Sequence, residues 1–266
     1  MVGQDRLVAK LKSYSIATLP HSILLLGEKG CGKHTLAKEV AEYFNLDLVD
    51  ITESLTTETL NDIKLRATPV LYLISVDELT EKEQNSILKF VEEPSAYAYV
   101  MLLGQSQYSM IDTLVNRCVV YQFDKYKSSD LSVFIQEEIS NSEDIIDICS
   151  TPGQVRLIVN YYDALVKTCS DFVNKLKKAS FSNVLVGISN KINYKDEYDK
   201  YDFYLFLKVL KREMLKDYSK THDAEIYDMY NLVLEHTDRL SDTRLDKKVF
   251  MDHLLSTMWL KVREAK

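Results

Sequence analysis

Turn formers are scarce, with seven Gly and four Pro in 266 residues. Beside abundant Leu, Lys, Glu and Asp, that poverty speaks against an all-β chain of many tight turns and favours helix. Cysteine is thin as well. Cys31, Cys118, Cys149 and Cys169 are scattered without a Cys-x-x-Cys pair, which argues against a zinc knot or a disulfide framework and leaves reduced thiols. No apolar run approaches the roughly 18 residues of a membrane span, and the first ten residues, MVGQDRLVAK, lack the apolar stretch of a signal peptide. The expectation is a cytoplasmic protein with no membrane partner. Positive charge is in deficit, 33 Lys and Arg against 40 Asp and Glu, for a formal charge of −7. A free-standing nucleic-acid binder working by bulk electrostatics is disfavoured; a DNA-handling complex with its basic surface on other subunits is not.

What is present is ordered along the chain. HSILLLG at 21–27 is a continuous apolar run ending in glycine, as a buried parallel strand does before its helix. HTLAKEVAEYF follows, with Leu36, Val40 and Phe44 at helical spacing. LDLVDI at 46–51, VLYLISV at 70–76, AYVMLLGQ at 98–105 and CVVYQF at 118–123 read as four further strands. Between the third and fourth of these, Thr80 and Glu83 form a capping-box pair ahead of Ile87, Leu88 and Val91, and Pro94 ends the run. Strands alternating with helices over 123 residues predict an α/β core built on a five-stranded parallel sheet. Beyond FDKYKSSD the character changes. Ser129 or Asp130 is expected to cap a helix through about residue 138, and helix restarts at Pro152. From about residue 164 onward the pattern is helical throughout, with Phe203, Phe206, Leu207, Leu210 and Met214 on one face and further helices around 226–234 and 249–260. SNKINYKDEYDKY reads as a polar loop between helices, and the aromatic-rich 198–206 stretch as core rather than a base-stacking platform.

The stretch LLLGEKGCGKHTLAKEV carries the sharpest chemistry. Gly27, Gly30 and Gly32 let backbone N–H groups curl around phosphate oxygens, and Lys33 adds a point charge. The next position normally supplies a hydroxyl to Mg²⁺, but here it is His34, a poor partner for a hard cation. Thr35 stands one helical residue too far round to replace it simply. The loop is therefore expected to bind phosphate, or to be a relic of one that did, without catalysing hydrolysis.

With VGQDRL at 2–7, LPHSILLLGEKGCGK at 19–33, NSILKFVEEP at 85–94 and NRC at 116–118, the chain resembles the clamp-loader subunits of the AAA+ superfamily, their bacterial DNA polymerase III delta-prime branch in particular. The resemblance covers residues 1 to about 122. It implies a P-loop core over 1–123, a small helical lid over 124–163 and an all-α, collar-like oligomerisation domain over 164–266. Aligned on Leu79, Thr80 and NSILKFVEEP, the family's two acidic positions fall on Ile74 and Ser75, which cannot hold a metal shell or act as base. In the rival register Asp77 and Glu78 serve instead, and the chain hydrolyses ATP itself. The family's polar sensor falls on Gly104 and Gln105, and its lid arginine on Gly153, with Arg156 nearly a turn beyond. Residues 34–76 contain no Cys, so the zinc module of many bacterial relatives is absent, and no metal site is expected. Arg117 matches the family's arginine finger, which reaches a neighbouring subunit's ATP; Asn116 replaces the Ser before it. Glu92 and Glu93 are read as a solvated helix end. The resemblance implies a stator: no required cofactor, ATP or ADP with Mg²⁺ being an open alternative, and as partners the other clamp-loader subunits, a sliding clamp and, through the complex, primer–template DNA. An adaptor in another DNA transaction is the third reading.

Overall fold

The five apolar runs are strands in the computed structural model, which describes residues 1–63, 66–135, 142–178, 203–238 and 246–264. They are β1 (Ser22–Leu26), β2 (Asp47–Asp50), β3 (Val70–Ser75), β4 (Ala98–Gly104) and β5 (Val119–Gln122). All pairings are parallel, in the order β2-β3-β4-β1-β5. The register aligns Leu26 with Gly104 and with Gln122, and Ser75 with Leu103. The C-terminal strand ends, where such sheets bind ligands, thus share one rim.

Alternation along the strands splits the core into two layers. Ile23, Leu25, Leu73 and Leu103 pack with Leu7 and Leu11 of α1 (Asp5–Lys12) and with Leu36 and Val40 of α2 (Lys33–Phe44). Leu24, Leu26, Tyr72, Ile74 and Leu102 face the other way, onto Ile87, Phe90 and Val91 of α4 (Glu81–Glu92). Fully burying each such side chain contributes about 1.5–3 kcal/mol. Short α3 (Thr57–Ile63) and α5 (Asp112–Val115) complete this part of the chain. The N-terminal motif is pinned by Gln4, 1% exposed, whose amide donates to Asp124 O at 2.8 Å and accepts from Asp124 N at 3.0 Å. The predicted capping box starts α4: Glu83 N donates to Thr80 Oγ1, and Thr80 N to Glu83 Oε2.

By its internal contacts the chain divides into two compact units, Met1–Phe134 with Ser150–Gly153, and Ile135–Cys149 with Gln154–Lys266. The helix expected to run from Ser129 to about 138 is shorter and begins earlier: α6 spans Ser128–Ser132, with Lys127 as its N-cap. Asp130 stands three residues in, accepting from Lys127 N at 3.1 Å; the carboxylate reaches back to the cap rather than being it. Residues 136–141 lie outside the described residues, as does the SNKINYKDEYDKY segment.

In the second unit all described regular structure is helical: α7 (Ser142–Ile148), most of α8 (Pro152–Val159), α9 (Tyr162–Lys178), α10 (Phe203–Thr221), α11 (Ala224–Asp238) and α12 (Lys247–Glu264). Phe203 and Phe206 are buried as expected. Phe206 meets Phe172 edge-on at 6.1 Å, and Phe203 meets Phe250 at 5.9 Å. Asp144 on α7 takes Arg212 and Lys216 of α10, which ties the two helices together.

Candidate functional site

The glycine loop runs from the end of β1 to the start of α2. Gly27 N donates to Gly104 O at 3.1 Å, continuing the sheet by one bond. A Cβ at Gly27 would come within 2.8 Å of Cys31 Sγ and 2.9 Å of Phe123 Cβ, so glycine is needed there for space. Gly30 and Gly32 have φ of 77° and 101°, the left-handed region glycine enters without strain. Gly32 caps α2, aiming the positive end of that helix at the loop. The backbone therefore has the shape of a phosphate cradle.

Lys33 is turned back onto it. Its Nζ donates to Gly27 O at 2.5 Å and to Glu28 O at 3.2 Å. Burial pushes its pKa down, partly countered by the charges of Cys31, Asp77 and Glu28. The rest of the loop is also bonded by its own chain. Tyr126 Oη donates to Cys31 O at 2.6 Å, Gly153 N to Gly30 O at 3.0 Å, and Ser150 Oγ to Glu28 Oε2 at 2.7 Å. Burial pushes the Tyr126 phenol up to about 12, keeping it a donor.

His34 is mostly exposed on the first turn of α2, its Nε2 3.6 Å from Asp50 Oδ2, and Thr35 is exposed beside it. His34, Asp50, Thr52, Glu53, Ser75 and Glu78 line a cavity of about 450 Å³. Three of these are carboxylates, which repel a polyphosphate. Among the described residues no group of three or more His, Cys, Asp and Glu is arranged to hold a metal ion.

Both candidate acidic registers lie at the end of β3. β3 carries Ile74, fully buried, and ends at Ser75; Val76–Glu78 form a 3₁₀ turn beyond it. Asp77 Oδ1 accepts from Gln105 N and from Ser109 Oγ, both at 3.0 Å, so it holds the loop after β4. Glu78 faces the cavity instead. At Gly104, where the resemblance puts the sensor, a Cβ would meet Met110 Cε at 2.5 Å, so the Met110 side chain would have to shift to admit one. Gly153 serves the loop through its backbone, and Arg156 is exposed on α8.

Arg117 lies between α5 and β5, its side chain one-third exposed. Nε is 3.1 Å from Glu92 Oε2, and Nη1 donates to Thr113 O at 2.8 Å. Glu92 is therefore more than the solvated helix end that its position suggested. Cys118 beside it is half-buried, and burial lifts its thiol to about 12.

Sequence reasoning also missed Gln84, 3% exposed. Its amide nitrogen donates to Leu79 O and Ser109 O at 3.3 and 3.1 Å, and its oxygen accepts from Ile111 N at 2.9 Å. The available signal was a polar residue three before Ile87 on the apolar face of α4. Tyr126 gave none.

Sheet order, loop and helical second unit give the chain the fold of P-loop proteins of the AAA+ class. A family model described as DNA polymerase III, delta subunit, matches residues 49–127. The replication factor C small subunit of Methanosphaera stadtmanae is 24% identical over 193 residues, 63% of this chain and 60% of the relative. DNA polymerase III subunit delta' of Bacillus subtilis is 37% identical over 54 residues, 20% of this chain and 16% of the relative. The chain thus spans about three fifths of the archaeal relative and a sixth of the bacterial one. In fold it is similar to a DNA polymerase III gamma subunit-related protein of Thermotoga maritima, with TM-score 0.53 and 17% identity over 98% of this chain and all of the other. A Thermotoga maritima RuvB variant matches at TM-score 0.50 and 16% identity over 82% and 77%. The chain is thus similar in sequence to clamp-loader-type AAA+ proteins.

Proposed function

We propose that this chain is a stator of a DNA polymerase clamp loader, which leaves hydrolysis to a neighbouring subunit and completes that subunit's ATPase site with Arg117. The observation that carries the reading is the end of β3. In the register set by Leu79, Thr80 and NSILKFVEEP the acidic positions fall on Ile74 and Ser75, the end of β3, and Asp77 is hydrogen-bonded to the loop after β4. His34 and Gly104 lack the metal-binding and sensor groups as well. The loop's positive-φ glycines and helix N-terminus fit a phosphate group, with Lys33 as its counter-charge once swung off Gly27 O. No hydrolytic step is assigned to this site.

Arg117 retains the chemistry a finger needs, a permanently charged planar fork near the surface that neutralises charge developing on a transferred phosphoryl group, with worth of about 10³–10⁵ in rate. In this reading the helical unit joins the chain to the other subunits, and the assembly opens a sliding clamp at primed DNA. Arg117→Ala is expected to lower the DNA-stimulated ATPase of the assembled loader without preventing assembly; unchanged turnover at equal assembly refutes it.

One observation favours autonomous hydrolysis: Asp77 is near enough to Lys33 for its charge to act there. That reading requires turnover by the purified chain that Lys33→Ala abolishes. The stator reading expects none.

A further inference from the structure

Glu92 and Arg117 lie 25 positions apart, on the last turn of α4 and just after α5, yet meet as an ion pair. We propose that Glu92 is a positioning residue for Arg117, holding the guanidinium from behind so that its free end is aimed outward before the neighbour's nucleotide arrives. This rests on the reading of Arg117 as a finger in trans.

The contacts divide the guanidinium. Glu92 Oε2 stands at Nε on one edge of the plane and Thr113 O takes Nη1 on the other, so the group is held from two sides. Neither engages Nη2, which leaves that end for a phosphate oxygen. An arginine side chain is long and rotamer-rich, and ordering it at the moment of reaction opposes catalysis; ordering it beforehand removes that cost. The two supports come from different helices. Thr113 is on α5, four residues before Arg117, whereas Glu92 brings in α4, whose Ile87, Phe90 and Val91 are locked into the core. The pair therefore references the arginine to the rigid sheet layer and not only to its own short helix.

Glu92 is about half exposed, so its charge is screened and competes weakly with a polyphosphate for Arg117. A geometric role is thus favoured over an inhibitory one.

The test uses the complete loader containing this chain, with DNA-stimulated ATPase read at varied ATP and assembly checked by gel filtration. Glu92→Ala is expected to lower kcat, reproducing about half or more of the loss seen with Arg117→Ala, while KM and assembly stay unchanged. Glu92→Gln, which keeps an acceptor oxygen, recovers part of the loss. The double variant is no slower than Arg117→Ala alone, because the two act as one unit. Unchanged or faster turnover with Glu92→Ala, or a loss additive to that of Arg117→Ala, overturns the proposal while leaving the finger in place. If Arg117→Ala itself leaves turnover unchanged, the finger reading falls, and the role of Glu92 with it.

Discussion

Gln84→Leu isolates the buried amide that ties α4 to the segment leading to Arg117. Leu matches the shape closely but cannot bond. Three contacts are lost, to Leu79 O, Ser109 O and Ile111 N. Ile111 N stands just ahead of α5, where no intrahelical acceptor exists for it, so it becomes a partly buried orphan donor costing about 1–3 kcal/mol. The two carbonyls each lose a bond with a net worth of about 1 kcal/mol. Burying an aliphatic side chain returns about 1–2 kcal/mol, which leaves a destabilisation of about 2–3 kcal/mol. Denaturant unfolding of a two-unit chain is not a single transition. Amide exchange of Leu102, Leu103 and Leu114 therefore serves better, with protection expected to fall by roughly 30- to 150-fold at about 1.4 kcal/mol per decade. A fall below about threefold would show that the amide is replaceable and refute the reasoning. If Arg117 is a finger as proposed, it should also become less effective in trans, since α5 carries its Thr113 support.

Other perturbations report on different parts. Asp144 is pushed up by burial, but hydrogen bonds from Lys216 and Arg212 outweigh this and hold its pKa below 3.8, whereas Lys216 is held above 10.5. The Asp144 contribution is thus present above the ordinary carboxylate value and lost as pH falls through the lower folded one; the Lys216 contribution is present below 10.5 and lost as pH rises through the higher folded one. Asp144→Asn should destabilise the helical unit by about 1–3 kcal/mol between roughly pH 5 and 10, less in acid; an equal effect at pH 3 and pH 7, read by Trp259 fluorescence in urea, contradicts it. Gly27→Ala drives a methyl against Phe123 Cβ and should lower stability by about 1–3 kcal/mol in amide exchange of Leu25 and Leu26. The buried thiols of Cys31, Cys149 and Cys169, all with raised pKa, should react with iodoacetamide at pH 8 far more slowly in native protein than in urea. Rapid native labelling would show that the burial is wrong.

Local pattern made much of this protein legible. Continuous apolar runs marked the three central strands β1, β3 and β4, because a parallel sheet covered on both faces buries nearly every side chain of its central strands. The capping box of α4 and the glycine loop were readable because each is a short-range geometry written in adjacent residues. The cap of α6 was misplaced by two or three residues because Lys127, a poor capping residue by type, caps through its backbone, while Asp130 stood where a cap was sought. Gln84 was visible only as a polar intruder on an apolar helix face.

By itself the sequence determined the P-loop scaffold, the loss of a hydroxyl at His34 and the survival of Arg117. That β3 ends at Ser75, and that Asp77 accepts from Gln105 and Ser109, up to 32 positions away, came from the tertiary structure. That Met110 fills the space above Gly104, and that Glu92 holds Arg117, likewise came only from tertiary structure. The reason is physical: glycines and helix caps act through neighbours in the chain, whereas the partner of a charge is set by how helices and strands distant in sequence pack together.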